Sequence, residues 1–312
     1  MKKERIIAVA GPTASGKTAF AVTLAKKLGG EVISNDSMQI YRGMEIGTAA
    51  PTVDEMGGIP HHMIGIAEPL AEFSCADYAA SAKNIIKEVI SRKKVPIFCG
   101  GTGLYLDAVL KVNDFSASVK NDALREELSA FAEINGADAL HERLRAVDPQ
   151  SADAIHKNNV RRVIRAIEIF ETTGITKTEW DKKSVEKPSE YDATVIVLDF
   201  LSRELLYSRI DLRVDAMMDA GLEAEVRSLW ENGLLSPKKP AFQAIGYKEF
   251  IPYFEGKATL SETADAIKLA TRRYAKRQIT WFKRYDNAIF LHPDREDGTV
   301  KSPEELFAEA GL

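Results

Sequence analysis

Cysteine is nearly absent from this chain of 312 residues, which contains only Cys75 and Cys99. Two cysteines in unrelated contexts are typical of reduced thiols in a cytoplasm. The same count excludes a metal site built on cysteine. The five histidines include no i, i+4 pair, so a zinc enzyme is not expected either.

Long apolar runs are also missing, since none approaches the roughly 20 residues that a membrane helix needs. The charged start of the chain leads directly into the first predicted strand, so we expect a cytoplasmic protein without a signal peptide. A hydrophobic content of 45% and a charged content of 28% are typical of a soluble globular protein, long enough for one large domain or two. The formal net charge of −4 argues against indiscriminate nucleic-acid binding but allows a local basic surface.

The most informative feature that the chain does contain is a phosphate-loop pattern. Residues 11–18 fit G-x-x-x-x-G-K-[ST] at every fixed position, between the apolar run Ile6–Ala10 and the helix-prone segment Ala19–Leu28. In that context the glycines let the chain wrap tightly, and backbone N–H groups at the helix start favour a polyanion. Lys17 adds a positive charge, and the Thr18 hydroxyl suits Mg²⁺. The pattern leaves open which polyphosphate binds and whether a phosphoryl group is transferred.

Strands and helices alternate over the first hundred residues. Short strands are predicted at Glu31–Ser34 and Val95–Cys99, with a helix at Ser81–Ser91 between them and another helix after them. This alternation predicts an α/β fold with a P-loop-type parallel sheet flanked by helices, whose ligands gather beyond the carboxyl ends of the strands. By that rule the phosphate loop, Asp36 and Thr102 lie on one edge of the sheet.

The pattern changes after residue 115. No convincing strand occurs from Ser116 to Pro188, where periodicity predicts three helices, Asp122–Ile134, Ala137–Val147 and Val160–Thr172. A strand returns at Ala193–Asp199. The remainder is predicted to be helical at Leu205–Asp219, Leu222–Glu231, Tyr247–Phe254 and Ser261–Tyr285. We therefore predict a catalytic core of residues 1–115 and 191–312, interrupted by an inserted all-helical domain of residues 116–190.

Two cationic clusters contain no acidic residue in the sequence. The first, between Lys268 and Arg284, places most of its cations in one sector of a predicted helix. The second consists of Lys157, Arg161, Arg162 and Arg165. A solvated helix face explains most such runs, but clusters unopposed by acids in an acidic protein favour contact with a polyanion. Two clusters on different segments are suited to grip the backbone of a shaped RNA.

Two carboxylates compete for a chemical role. Asp36 follows a predicted strand. Most Asp-Ser pairs, however, only cap a helix or form a turn. Asp199 ends a hydrophobic strand and resembles a metal-associated aspartate, so an ATP-dependent small-molecule kinase remains an alternative. The adjacent His61 and His62, on a predicted loop, are interpreted as structural residues because neighbouring side chains rarely converge on one ion.

Taken together, the motifs resemble those of the tRNA dimethylallyltransferase family. As an ordered set they are highly specific, and they run in family order across nearly the whole chain. The matching segments are Gly11–Thr18, Asp36–Tyr41, Ile46–Ala49, Pro60–His62, Phe73–Tyr78, Gly100–Tyr105, Arg161–Glu168, Ala244–Glu249 and Ala275–Trp281. The resemblance implies transfer of a dimethylallyl group from dimethylallyl diphosphate to N6 of the adenosine next to the anticodon of tRNA, with release of diphosphate.

The resemblance also implies roles for individual residues. Asp36 resembles the general base, Thr102 a residue that lines the reaction channel and contacts the base, and Arg213 the residue that stabilises the leaving diphosphate. Mg²⁺ is the implied cofactor, with Thr18 as its ligand. The implied diphosphate ligands are Gly11, Thr13, Ala14, Ser15, Gly16, Lys17 and Thr18. The implied tRNA contacts are Asp36, Ser37, Met38, Gln39, Thr102, Arg125, Arg161, Arg162, Val163, Ile164, Arg165, Lys276, Arg277 and Arg284.

Three departures from the family pattern concern details. Ala50 replaces a lysine, and Gly65 stands where an acidic residue is common. The chain lacks the zinc finger of eukaryotic relatives, so we expect the bacterial type, acting as a monomer. Besides the kinase, two alternatives remain open: an adenylate isopentenyltransferase that uses a free nucleotide, and a non-catalytic RNA-binding protein. The helical insertion and the cationic clusters argue against the free nucleotide, which needs no such surface.

Overall fold

The computed structural model describes residues 3–110, 120–185 and 189–312. The chain divides into two compact units. The core unit comprises Met1–Val109 and Tyr191–Leu312, and the helical unit comprises Leu110–Glu190. The predicted domain boundary between residues 115 and 116 lies outside the described residues.

A parallel sheet forms the centre of the core unit. Its strands within the described residues are β1 (Glu4–Ala10), β2 (Gly30–Ser34), β3 (His61–His62), β4 (Val95–Gly100), β5 (Tyr191–Leu198) and β6 (Ile289–Leu291). They pair in the order β3-β2-β4-β1-β5-β6, and every pairing is parallel. The predicted α/β class with a flanked parallel sheet is therefore confirmed.

Helices connect these strands and make up the helical unit. The α-helices of the described residues are α1 (Lys17–Leu28), α2 (Val53–Met56), α3 (Cys75–Ser91), α4 (Gly103–Leu110), α5 (Asp122–Val147), α6 (Pro149–Ala154), α7 (Val160–Thr173), α8 (Lys177–Val185), α9 (Arg203–Asp219), α10 (Leu222–Glu231), α11 (Ile251–Phe254), α12 (Leu260–Phe282) and α13 (Pro303–Ala310). The described residues also include 3-10 helices at Pro240–Gln243 and Lys248–Phe250. None of the described helices is long and apolar enough to span a membrane.

The central position of β1 follows from its composition. Ile6–Ala10 are all buried, as expected for a strand covered on both faces by helices. Ile7 lies opposite Ile97 of β4 and Thr194 of β5. Because β1 ends in the middle of the sheet, it delivers the phosphate loop to the middle of the carboxyl edge.

Three predicted helices have a different form in the structure. Asp122–Ile134 and Ala137–Val147 belong to one helix, α5, whose run is broken at Gly136, with φ 86° and ψ 161°. The predicted helix Tyr247–Phe254 is instead a 3-10 turn followed by the single turn of α11. The shortest elements, including β3 and β6, were not predicted because two or three residues show no periodicity.

The helical unit has its own apolar core, and no strand occurs among its described residues. Helices α5 and α7 supply Leu128, Leu140, Leu144, Val163 and Ile167, all of them fully buried. The amphipathic pattern that predicted these helices therefore also identified the faces that pack together.

Candidate active site

A cavity of about 300 Å³ lies in the core unit at the carboxyl ends of β1, β2 and β4. Apolar side chains form part of its wall, among them Val214, Met217, Ile245 and Ile267. The polar lining of the described residues is strongly cationic, with one carboxylate, Asp36, against Lys17, Arg213, Lys248 and Arg277. Such an excess of positive charge around a cavity favours an anionic ligand.

The phosphate loop joins β1 to α1 and begins with a close approach to β5. Gly11 has φ 140°, and a Cβ there would lie 2.5 Å from the Leu198 carbonyl oxygen. Gly16 precedes α1 in the left-handed conformation, which other residues rarely adopt. Of the predicted diphosphate ligands, Thr13, Lys17 and Thr18 line the cavity, whereas Gly11, Ala14, Ser15 and Gly16 do not contribute to its lining.

Lys17 and Arg213 are the two most deeply buried cations of the cavity. Burial, with a smaller contribution from the positive charge of Arg213, lowers the pKa of Lys17 to about 8. Burial likewise lowers the pKa of Arg213. The nearby Cys99 is no counter-ion, because burial raises the pKa of its thiol to about 11. An anion bound between the two cations offsets the cost of keeping both charged.

Asp36 lines the cavity directly after β2. Its Oδ1 accepts hydrogen bonds from the backbone N–H groups of Met38, at 2.8 Å, and Gln39, at 3.4 Å. The turn role considered for Asp36 is therefore real, and it orients the carboxylate in the cavity. The same residue combines a local structural role with a position suited to chemistry.

Thr102 is not among the residues that line the cavity, although its neighbours Gly101 and Ser37 are, and its contact with the base stays a prediction. Its hydroxyl accepts a hydrogen bond from the Ser37 N–H at 3.0 Å. Its own N–H donates to the Asn35 carbonyl at 3.1 Å, and Asn35 Nδ2 returns a bond to the Thr102 carbonyl at 3.2 Å. Thr102 therefore fixes the turn that presents Asp36.

Gln278 of α12 is a site residue that the sequence reasoning missed. It is 5% exposed and lines the cavity. Its Oε1 accepts from the Thr13 N–H at 2.9 Å, and its Nε2 donates to the Gly101 carbonyl at 3.0 Å. Its place inside a recognised motif was visible in the sequence, but its partners, Thr13 and Gly101, are distant along the chain.

A second set of unpredicted residues holds the loop that receives Arg213. Arg213 Nη2 donates to the Ala49 carbonyl at 3.4 Å. Three residues earlier, the Ile46 N–H donates to Glu225 Oε2 at 2.8 Å, and Glu225 Oε1 accepts from the Tyr247 hydroxyl at 2.7 Å. Tyr247 is fully buried. The motifs containing Ile46 and Tyr247 therefore meet through Glu225, which no motif contains.

The cationic face of α12 is opposed by acids, contrary to the sequence interpretation. Lys268 and Arg272 pair with Asp215 and Asp211 of α9 at 2.6 Å each. The fold brings these acids to the helix from about sixty residues away in sequence. The predicted tRNA contacts Lys276 and Arg277, further along α12, and Arg284, in the turn after it, are all exposed. Arg284 also stacks on Trp281, with 4.0 Å from its guanidinium carbon to the ring centroid.

The cluster of the helical unit likewise has a buried acid at its centre. Glu168 is 0% exposed, and its carboxylate accepts from Arg125 Nε at 2.8 Å and Arg165 Nη1 at 2.5 Å. Burial raises the pKa of Glu168, but these hydrogen bonds and one from the Asn121 N–H more than compensate, and the net pKa is lowered. Arg125 and Arg165 thus have a structural role in the helical unit.

The remaining predicted tRNA contacts of α7 differ in how deeply they are buried. The side chains of Val163 and Ile164 are 0% and 6% exposed and pack in the apolar core, so their predicted contact with RNA would have to involve the backbone. Arg161 and Arg162 are exposed. Arg165, whose side chain is 36% exposed, also stays a predicted contact.

Asp199, the rival carboxylate, lies in another environment, whereas His61 does line the cavity. Asp199 is buried near Arg203, 3.5 Å away, and is not part of the cavity lining. His61 and His62 form the edge strand β3 rather than a loop. His62 Nε2 lies 2.8 Å from Glu31 Oε2, which also pairs with Arg92. Among the described residues, no group of three histidine, cysteine or acidic side chains is arranged to hold a metal ion.

The fold and the cavity define an α/β protein with an anion-binding site at the carboxyl edge of a parallel sheet. Residues 39–285 match the family described as IPP transferase. The chain is 47% identical over 289 residues to a tRNA dimethylallyltransferase of Halalkalibacterium halodurans, covering 93% of this chain and 91% of the relative. It is 49% identical over 280 residues to one of Geobacillus kaustophilus, covering 90% and 88%.

Solved structures agree with this match. The full-length tRNA isopentenylpyrophosphate transferase of Bacillus halodurans has a TM-score of 0.71 and 42% identity, covering 99% of this chain and 95% of that one. A eukaryotic dimethylallyltransferase acting on tRNA has a TM-score of 0.81 and 31% identity, covering 93% and 74%. The chain belongs to the IPP transferase family, and the resemblance to tRNA dimethylallyltransferases is confirmed.

Proposed function

We propose that this enzyme modifies tRNA by transferring a dimethylallyl group from dimethylallyl diphosphate to N6 of the adenosine next to the anticodon, releasing diphosphate. One observation carries the proposal: two buried cations, Lys17 and Arg213, share a cavity with one carboxylate, Asp36. The relatives named tRNA dimethylallyltransferase support the reaction class.

Asp36 supplies the base for the acceptor. An exocyclic adenine amine is a poor nucleophile, because its lone pair is delocalised into the ring. As N6 forms a bond to C1 of the dimethylallyl group, the C1–O bond breaks and its electron pair leaves with the diphosphate. The proton lost from N6 passes to the Asp36 carboxylate, which must lie within hydrogen-bond reach of the amine.

The leaving group is stabilised by fixed positive charge. Lys17 and Arg213 meet the negative charge that grows on the diphosphate as the C–O bond breaks. Backbone N–H groups at the start of α1, from Ala14 to Thr18, add donors without any cost of reorganisation. Asp36 and this cradle border the same cavity, so one bound donor can contact both.

Mg²⁺ is the proposed cofactor, and Thr18 is the residue that would hold it. Thr18 lines the cavity with Lys17. A single hydroxyl ligand fits Mg²⁺, which commonly binds through few protein groups and through the phosphates of the substrate. When bound, the ion neutralises charge on the departing diphosphate.

The acceptor surface uses exposed cations. Lys276 and Arg277 on α12, and Arg284 just beyond its end, are proposed to contact the tRNA backbone, and Arg277 also lines the cavity. In the helical unit, which we propose as a tRNA-binding domain, Arg161 and Arg162 have the same role. The target base has to leave the anticodon stack to reach the cavity, as with other enzymes that act on a base.

The most direct test is mass spectrometry of tRNA nucleosides after incubation with dimethylallyl diphosphate and Mg²⁺. We expect dimethylallyl-adenosine in tRNA and none in AMP offered under the same conditions. Product in AMP alone would favour the free-nucleotide transferase. Phosphoryl transfer from ATP that requires Asp199 would favour the kinase. We further propose that the enzyme is a cytoplasmic monomer, for which light scattering should report one chain of 34.5 kDa.

Pyrophosphate binding should take up a proton at mildly basic pH. The pKa of Lys17 without ligand is about 8, lowered by burial, and a bound anion favours the charged form and raises it. Affinity for pyrophosphate should therefore fall as the pH rises through about 8, in proportion to the loss of charge on Lys17.

Calorimetry in two buffers of different ionisation enthalpy, about one unit above that pKa, measures the proton uptake. Pyrophosphate itself titrates in this range, so the contribution of Lys17 is the difference from Lys17→Met. Equal uptake by both proteins would contradict the assignment to Lys17.

Charge reversal at Arg161 and Arg162 should weaken tRNA binding in a salt-dependent manner. Each lost phosphate contact reduces the slope of log affinity against log salt by about 0.7–0.9, so the double variant should lose about 1.5. The matched control is Lys182→Glu, an exposed cation of α8 outside the proposed contacts. Filter binding at several salt concentrations gives the slopes, and an unchanged slope in the double variant would remove these arginines from the interface.

A further inference from the structure

We infer that Gln278 is a positioning residue that fixes the donor half of the site relative to the acceptor half. The inference rests on the proposed function, since it assigns the two halves their roles. The donor half is the phosphate loop, represented by Thr13. The acceptor half is the turn after β4, which begins at Gly101 and continues into Thr102. Both halves and Gln278 belong to the core unit.

One side-chain amide joins the two halves. Gln278 Oε1 accepts from the Thr13 N–H at 2.9 Å, while Nε2 donates to the Gly101 carbonyl at 3.0 Å. The amide is buried, at 5% exposure, so an unmade bond on either side would leave a buried polar group without a partner. Only a side chain with a donor and an acceptor of this length serves both partners.

Gly101 is also required for this connection between the two halves. A Cβ on Gly101 would lie 1.9 Å from Gln278 Nε2, so the close approach of the two segments requires a residue without a side chain. The next residue, Thr102, accepts from the Ser37 N–H and thereby fixes the turn of Asp36. The chain of contacts thus runs from Thr13 through Gln278 and Gly101 to the proposed base.

Tyr274, one turn earlier on α12, reinforces the connection. Its hydroxyl is close enough to Thr102 and Gln278 for both to affect its pKa, which burial raises to about 12. Helix α12 therefore contacts both halves through adjacent turns, and it also carries the exposed cations proposed to contact tRNA. A single rigid element sets the separation between the leaving group and the base.

The inference also revises the phosphate cradle. The Thr13 N–H is already committed to Gln278, so it is not a donor to diphosphate while that bond exists. The cradle then consists of the backbone N–H groups that follow it, up to Thr18. Thr13 was predicted as a diphosphate ligand, but its backbone N–H donates to Gln278 and so links the two halves of the site.

The test separates positioning from binding. For Gln278→Met, which keeps the length and removes both hydrogen bonds, we expect the single-turnover transfer rate at saturating substrates to fall about 10- to 100-fold, because a small misplacement of reacting groups has effects of that size. Dissociation constants for Mg²⁺-pyrophosphate and for an anticodon stem-loop should stay within about twofold of wild type, since each half remains intact. The matched control is Gln150→Met, an exposed glutamine of the helical unit.

Two further variants protect the test against misfolding. Gln278→Glu keeps the acceptor for the Thr13 N–H but loses the donor to the Gly101 carbonyl. Gly101→Ala adds a Cβ that would clash with the Gln278 amide. All rates are expressed per active site, titrated with pyrophosphate, so a partly unfolded sample does not imitate the effect. Weakened pyrophosphate binding with a wild-type saturating rate would overturn the inference, as would three variants with wild-type rates.

Hydrogen exchange provides a readout that needs no activity. The Thr13 N–H should be protected in the unliganded wild-type protein and exchange faster in Gln278→Met, seen by mass spectrometry of peptides that cover the phosphate loop. Equal exchange in both proteins would overturn the inference. Failure of wild-type protein to modify tRNA would instead contradict the proposed function, and the exchange result would stand independently of it.

Discussion

Replacing Asp36 with asparagine should reduce prenyl transfer by about 10²–10⁴-fold, the range that a positioned general base contributes. Asparagine keeps Oδ1, which accepts from the Met38 N–H at 2.8 Å, so the turn survives while the base is lost. Affinity for tRNA should change little, because the carboxylate acts on the amine as the new bond forms. Single-turnover kinetics with labelled donor, together with filter binding, measure both quantities.

The control for this substitution is Asp297→Asn. Asp297 forms the same kind of turn, its Oδ1 accepting from the Thr299 N–H at 2.9 Å, and it is exposed and does not line the cavity. The Asp297→Asn substitution should leave the rate of prenyl transfer unchanged. Lost tRNA binding with unchanged single-turnover chemistry in Asp36→Asn would contradict the assignment of Asp36 as the base.

Replacing Lys17 with methionine should lower kcat/KM for the prenyl donor by about 10³-fold, or roughly 4 kcal/mol. Lys17 is buried, and it belongs to the loop that we propose as the diphosphate cradle. Removing the charge leaves the growing negative charge with Arg213, the backbone donors and the metal ion. The loss should appear both in pyrophosphate affinity and in kcat, because charge develops further in the transition state.

Lys26→Met is the matched control for Lys17→Met, since Lys26 is an exposed lysine in the last turn of the same helix. Calorimetry with Mg²⁺-pyrophosphate and steady-state kinetics should show no change for this control. If Lys17→Met retained wild-type kcat and pyrophosphate affinity, the cavity would not be the donor site.

The sequence identified the parts of the site that carry a local pattern. The sequence predicted a strand, a phosphate loop and a helix in one continuous segment, because each is determined by neighbouring residues. The structure confirms their order. Asp36 was placed on the same edge as that loop by the rule for parallel sheets, and it does line the same cavity. These predictions needed only strand ends and their common direction.

Residues that act across the fold were not predictable in the same way. Gln278 lies 265 residues from Thr13 in the chain, and Glu225 lies 179 residues from Ile46. No periodicity or spacing connects such partners, because they meet only after the sheet and α12 have assembled. An isolated glutamine or glutamate on an amphipathic helix is indistinguishable in sequence from a solvated one.

Charge was the least reliable guide. Local sequence showed two clusters without acids, yet the fold supplies Asp211 and Asp215 to the first and Glu168 to the second. In the second cluster the acid lies only three residues beyond Arg165, so a wider window would have shown it. Counting charges along a helix does not reveal which acids face it from neighbouring elements.

The central claim is that the cavity holds the departing diphosphate while Asp36 accepts the proton from the target amine. A crystal structure with a non-reactive analogue of dimethylallyl diphosphate and an anticodon stem-loop tests it most directly. The account predicts the diphosphate in contact with Lys17 and Arg213, and N6 of the extruded adenosine about 2.6–3.2 Å from the Asp36 carboxylate. A carboxylate remote from both ligands would contradict the account.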